Sequence, residues 1–139
     1  MAAIVERDGR FLLVEERVAD RRVLNQPAGH LEPDEYLLAA VRRETREETG
    51  HGFRATALVG IYHWQVPETA QRYVRFAFCG ELTGEPPAAE LDPDIERVLW
   101  LNRAELARQA QRLRSPLVLA GIDDYLAGRR FPLEILRSR

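Results

Sequence analysis

The chain predicts an α/β fold in which a mixed β-sheet lies between α-helices, an α/β/α sandwich. Three observations carry that expectation. Short apolar runs of strand character recur along most of the chain. One helix-period stretch interrupts them early, after residue 34, and two helix starts follow late, after residue 101. The 139 residues suit one hydrophobic core, so residues 1–139 are expected to form a single domain.

The elements follow in chain order. Ala2 to Val5 and Phe11 to Val14 are apolar runs separated by Asp8-Gly9, a pair that favours a hairpin turn. Residues 25–34, NQPAGHLEPD, are turn chemistry, and Pro33 and Asp34 suit the first turn of a helix. From Glu35 the stretch EYLLAAVRRETREET reads as helix, with Leu37, Leu38, Val41 and Thr45 on one stripe and Gly50 as its stop. Thr56 to Val66 and Arg72 to Glu81 read as strands. Gly84-Glu85-Pro86-Pro87 and Asp92-Pro93 bracket a loop, and residues 83–93 could cover a site. Ile95 to Leu101 is another strand. Asn102 with Glu105 matches a capping box for a helix to about Leu113. Ser115-Pro116 opens a last helix that ends near Gly128.

Composition excludes several classes. Hydrophobic residues make up 45% and charged residues of both signs 30%, and no apolar run approaches the roughly 18–20 residues of a spanning helix. The N-terminus lacks the basic region and apolar stretch of a signal peptide. A lone Cys79 excludes an internal disulfide and a multi-cysteine zinc site. A cytoplasmic location is expected. A net charge of −2 does not describe a general nucleic-acid binder. The chain contains no lysine, so arginine counts alone say little about phosphate binding.

The segment from Gly29 to Gly52 is the most informative. Glu44, Glu47 and Glu48 stand at i, i+3 and i+4, within about 100° of helical arc, beside the apolar stripe. Like charges at this spacing repel, and the C-terminal half of a helix disfavours anions. Divalent cations remove that conflict, because hard carboxylate oxygens at this density suit Mg²⁺ or Mn²⁺. The alternative is an exposed acidic face paired with Arg42, Arg43 and Arg46. Gly29 lets backbone approach the helix and offer a carbonyl as a further ligand. Glu35, eight residues before Arg43, could brace that guanidinium.

Gly29, Glu35, Arg43-Glu44, Glu47-Glu48 and Gly50 resemble the Nudix box, with every charged and glycine position filled at the right spacing. Thr45 and His51 depart from it, standing where aliphatic residues are usual. LNQPAGHLE from Leu24, LRSPLV from Leu113, His63-Trp64, Arg75-Phe76 and the stretch from Tyr125 to Glu134 are similar to the bacterial Nudix phosphatases of the NudJ group. The resemblance implies a Nudix fold. It implies Mg²⁺-dependent hydrolysis of a phosphoanhydride in nucleoside tri- or diphosphates, or in a small pyrophosphate ester such as hydroxymethylpyrimidine pyrophosphate, with orthophosphate released. It implies that Glu44, Glu47, Glu48 and the Gly29 carbonyl hold the metal. Arg43 and Glu35 would orient that shell, and Glu47, Glu48 or Glu96 would take the proton. A pyrophosphatase releasing pyrophosphate and a monophosphate, and a non-catalytic nucleotide-sensing module, are the alternatives.

Candidates for substrate contact lie outside the box. Trp64 either stacks on a base or packs in the sheet. Arg75, in an apolar strand, is either an edge residue or a phosphate contact. Arg114 and Ser115 sit at a helix start that could take an anion through free backbone N–H groups, or Ser115 simply caps the helix. The expected partner is a small phosphate ester. Neither membrane nor nucleic acid is expected, and monomer and homodimer both remain open.

Overall fold

A computed structural model describes residues 1–88 and 90–138. The strands are β1 (Ala2–Ile4), β2 (Glu6–Arg7), β3 (Arg10–Val18), β4 (Arg21–Asn25), β5 (Phe53–Gln65), β6 (Arg72–Leu82) and β7 (Ile95–Leu101). The helices are α1 (Leu37–Thr49), α2 (Arg103–Arg108) and α3 (Leu117–Leu126), with 3₁₀ turns at Ala110–Arg112 and Leu133–Ile135. One sheet runs β1-β6-β5, with β1 parallel to β6 and β5 antiparallel to it. The other centres on β3, which pairs antiparallel with β2, β4 and β7.

The period of two along the strands divides the apolar residues between two cores. Ile4, Phe11 and Leu13 pack with Leu106 of α2 and with Val118 and Ile122 of α3. Ala3, Val5 and Leu12 pack with Val41 of α1 and with Phe53, Leu58 and Phe78. Neighbouring residues of one strand thus serve opposite layers, as the α/β/α expectation requires. Each fully buried Leu, Ile or Phe contributes roughly 1.5–3 kcal/mol relative to exposure.

Several boundaries differ from the sequence expectation. Asp8 (φ 53°) and Gly9 (φ 78°) do form a tight turn, but it joins β2 to β3. The first apolar run instead adds to β6 in parallel, because its alternating side chains fill both cores. Helix α1 starts at Leu37, not at Pro33–Glu35. Asp34 adopts a left-handed φ of 62°, and Tyr36 is the extended cap residue. Leu38 is exposed, and the buried face of α1 is Ala40, Val41, Thr45, Glu48 and Thr49. Gly50 (φ 79°) ends the helix, its N–H donating to the Arg46 carbonyl. The Asn102–Glu105 capping box is present, but α2 stops at Arg108 and continues only as a 3₁₀ turn. Among the described residues no helix is long and apolar enough to cross a membrane.

Candidate active site

The box acids diverge in environment although they share one helix. Glu48 is buried and its Oε1 accepts the Ala28 N–H at 2.9 Å. Burial pushes its carboxyl up to about 8 despite that hydrogen bond, and the charges of Glu16, Glu44 and Asp92 push the same way. Glu44 is raised too, again chiefly by burial, with Arg43 opposing. Glu47 is the most open of the three, with 48% of its side chain exposed, and this leaves it free to turn toward a ligand.

Arg43 ties the group together. Its Nε and one terminal nitrogen donate to the two oxygens of Glu35 at 2.7 and 2.9 Å, a bidentate fork. The other terminal nitrogen reaches Glu44 at 2.7 Å and Glu47 at 3.2 Å, and the His30 carbonyl accepts a further bond at 3.0 Å. The Arg43 hydrogen bonds hold the Glu35 carboxyl down at about 2. The brace expected between residues 35 and 43 is therefore formed, even though Glu35 lies in the loop before α1.

Gly29 leaves room for Glu44. A Cβ at position 29 would meet the Glu44 carboxylate at 2.1–2.4 Å, so any side chain there would displace it. The carboxylates of Glu44, Glu47 and Glu48 and the Gly29 carbonyl are hard oxygen donors, the set a divalent cation takes. Among the described residues no three acidic, histidine or cysteine side chains converge closely enough for direct coordination. Glu44 and Glu47 are turned to Arg43, and Glu48 to Ala28. Among the described residues the buried Glu48 forms no ion pair, and this and the glycine cradle for Glu44 fit an ion bound beside them.

A cavity of about 650 Å³ opens next to this group, lined by Ala28 and Gly29 and by Trp64, Tyr73, Arg75, Arg114 and Ser115. Trp64 is stacked on Tyr73, ring centroids 6.1 Å apart and planes 22° from parallel. Tyr62 shares the face of Trp64, but its hydroxyl donates to Asp124 at 2.7 Å. Arg75 donates to Asn25 and Gln26. The Arg114 N–H donates to the Leu24 carbonyl and Ser115 Oγ accepts the Leu117 N–H, so both groups at this helix start are already engaged. The Arg114 guanidinium is a further anion donor there.

Glu96 pairs with Arg17 at 2.5 Å and, like Glu44, Glu47 and Glu48, does not itself line the cavity. The acid from that side is Asp92, whose N–H donates to the Glu47 carbonyl at 2.8 Å and whose charge acts on Glu48. Of the loop 83–93, Ala89 lies outside the described residues. Its described residues dock on α1, with Glu85 held by Arg42 and Arg46 at 3.0 and 3.1 Å, and none of them lines the cavity. Glu16 was not among the candidates. It lines the cavity, burial raises its carboxyl, and Arg114 stands 3.9 Å away. Adjacent Glu15 faces the other way and is buried against Arg97 and Arg112. Two acids closing the apolar run FLLV were the signal available in the sequence.

Known proteins resemble this chain over most of its length. The family model for the NUDIX domain matches residues 1–120. The chain is 40% identical over 136 residues to Phosphatase NudJ of Escherichia coli strain K12, covering 98% of this chain and 88% of that protein. Phosphatase NudJ of Shigella flexneri matches equally. The structure of a NUDIX hydrolase from Nitrosomonas europaea superposes with a TM-score of 0.95 at 44% identity, covering 99% of this chain and 94% of that one. A MutT NUDIX hydrolase from Burkholderia pseudomallei shares the fold, with a TM-score of 0.73 at 24% identity over 88% of this chain and 93% of that one.

Proposed function

The chain belongs to the Nudix hydrolase family, and from that premise we propose that it is a Mg²⁺-dependent phosphatase of nucleoside tri- and diphosphates or of a small pyrophosphate ester such as hydroxymethylpyrimidine pyrophosphate. The observation that carries this is that the cavity lined by Arg75 and Arg114 is also lined by Ala28 and Gly29, which lie against Glu48 and Glu44 of α1. Mg²⁺ or Mn²⁺, held by Glu44, Glu47, Glu48 and the Gly29 carbonyl, would offset phosphate charge and acidify water. Arg43 and Glu35 orient those carboxylates without touching substrate. Arg75 and Arg114 hold phosphate oxygens. Trp64 packs against the organic group, and Ser115 fixes the helix start beside it. Glu47 or Glu48 accepts a proton at a carboxylate oxygen. The ion pair of Glu96 with Arg17 speaks against a share for Glu96 in that step. A single domain over residues 1–139 in the cytoplasm completes the proposal.

Orthophosphate is the proposed product, supported by 40% identity to a protein named as a phosphatase over nearly the whole chain. Attack at the terminal phosphorus frees orthophosphate, whereas attack one phosphorus further in frees pyrophosphate from a triphosphate. The test follows a nucleoside triphosphate with Mg²⁺ by phosphorus NMR. Diphosphate and orthophosphate appearing first support the reading; pyrophosphate and monophosphate as the only early products reject it in favour of a pyrophosphatase. The intact carboxylates argue against a non-catalytic sensing module.

A further inference from the structure

Arg75 and the two amides beside it carry an inference that rests on the phosphate contact proposed above. The guanidinium donates to Asn25 Oδ1 at 2.7 Å and to Gln26 Oε1 at 3.3 Å. Both acceptors are neutral. Among the described residues Arg75 forms no ion pair with a carboxylate; Glu16 and Glu48 act on it only at longer range. A half-buried arginine such as Arg75 is ordinarily stabilised by a carboxylate placed against its fork. Here burial pulls its pKa down to about 10, the direction expected where water is stripped away and no counterion replaces it.

The two amides are themselves oriented. Asn25 Nδ2 points to Glu16 Oε1 at 3.5 Å, and Gln26 Nε2 donates to the Val118 carbonyl at 2.8 Å. With the nitrogen ends engaged, the oxygen ends face Arg75. Asn25 also stands between Arg75 and Glu16, the acid lining the same cavity. The same short segment then supplies the Ala28 N–H on Glu48 and the Gly29 cradle for Glu44. It is tied to β1 through the Ala3 N–H on the Pro27 carbonyl and the Gly29 N–H on the Met1 carbonyl. Residues 25–29 therefore hold the cation and the carboxylates in one fixed spacing.

We propose that Asn25 and Gln26 are positioning residues that fix the Arg75 guanidinium while leaving its charge unneutralised, so that it takes a phosphate group of the substrate. The spacing from Arg75 to Glu44 and Glu48 across this segment sets which phosphorus lies beside the carboxylates.

The experiment compares Asn25→Asp with Asn25→Ala. Asp keeps shape and acceptor but neutralises Arg75, whereas Ala deletes the hydrogen bond and leaves the charge. KM for a nucleoside triphosphate with Mg²⁺ is measured, with Kd for inorganic tripolyphosphate by calorimetry without metal. Asn25→Asp is expected to raise both by about tenfold or more, with kcat changed less, and Asn25→Ala by less than about threefold. Ala as harmful as Asp, or Asp equal to the wild type, overturns the proposal. Glu16→Gln, in the same titration, removes the carboxylate charge that acts most on Arg75 and is expected to tighten tripolyphosphate about threefold. Unchanged or weaker binding there overturns it as well, so a failure of Asn25→Asp to fold does not shelter the idea. Arg75→Gln separates the two levels. If it leaves KM and Kd unchanged, the phosphate contact itself is wrong. If it raises both while Asp and Ala behave alike, only the charge argument falls.

Discussion

Single residues carry the sharpest consequences. In the folded protein Glu48 titrates at about 8, against an ordinary value of 4.5. Between those values the folded protein binds more protons than the unfolded chain, so the stability this group contributes is fully present below about 4.5 and is lost as pH rises through about 8. The thermal midpoint of metal-free protein should therefore fall between pH 6 and pH 9. Glu48→Gln, which cannot ionise, should flatten that fall; an unaltered slope would show that another group is responsible. Gly29→Ala places a methyl on the Glu44 carboxylate and should lower turnover at least about tenfold with the fold retained, read by steady-state kinetics and circular dichroism. The Arg43–Glu35 fork was legible in the sequence, since both stand in one spacing pattern. The approach of Glu16 and Asp92 to Glu48 was not, because it depends on strand pairing and on the docking of a loop.

At the level of elements, α1 and the segments packed on it decide the site. Arg43→Ala strips the cation from Glu35, Glu44 and Glu47 together and should abolish most activity. Arg46→Ala loosens only Glu85 and the Pro86 carbonyl and should be much milder in the same kinetic assay. Equal losses would mean that loop docking, not the brace, is what matters. The strands β1, β3, β5, β6 and β7 were legible to within a few residues, because alternation and turn signals are local, whereas β2 and β4, short and rich in charge, were not. The start of α1 was misread because proline and an acid are good first-turn residues, yet here the Glu32–Glu35 turn, with its left-handed Asp34, delivers Glu35 to Arg43 from outside the helix. A helix begun at Glu35 would be a different setting for the carboxylate that grips Arg43.

For the whole molecule, the alternation of Phe11, Leu12 and Leu13 between two cores makes β3 a shared wall, so damage on it is felt globally. Leu12→Ala should cost about 2–5 kcal/mol in denaturant unfolding while leaving KM near wild type; a cost under about 1 kcal/mol would contradict this packing. The layer order followed from the order of elements, and the acid triad stood out from helical spacing taken together with Gly29 and Glu35 of the preceding loop. The cavity was only partly legible. Trp64, Arg75 and Arg114 stood out as polar or aromatic side chains in apolar surroundings, but their convergence with Asn25 and Gln26 joins residues far apart in the chain and leaves no local pattern. The hydrolytic centre proposed on α1 is metal-dependent. It is tested most directly by phosphorus NMR of a nucleoside triphosphate incubated with the protein, with and without Mg²⁺, beside Glu48→Gln. Orthophosphate release should require Mg²⁺ and drop at least about a hundredfold in the variant. Metal-independent release, or a Glu48→Gln protein that turns over like the wild type, would contradict it.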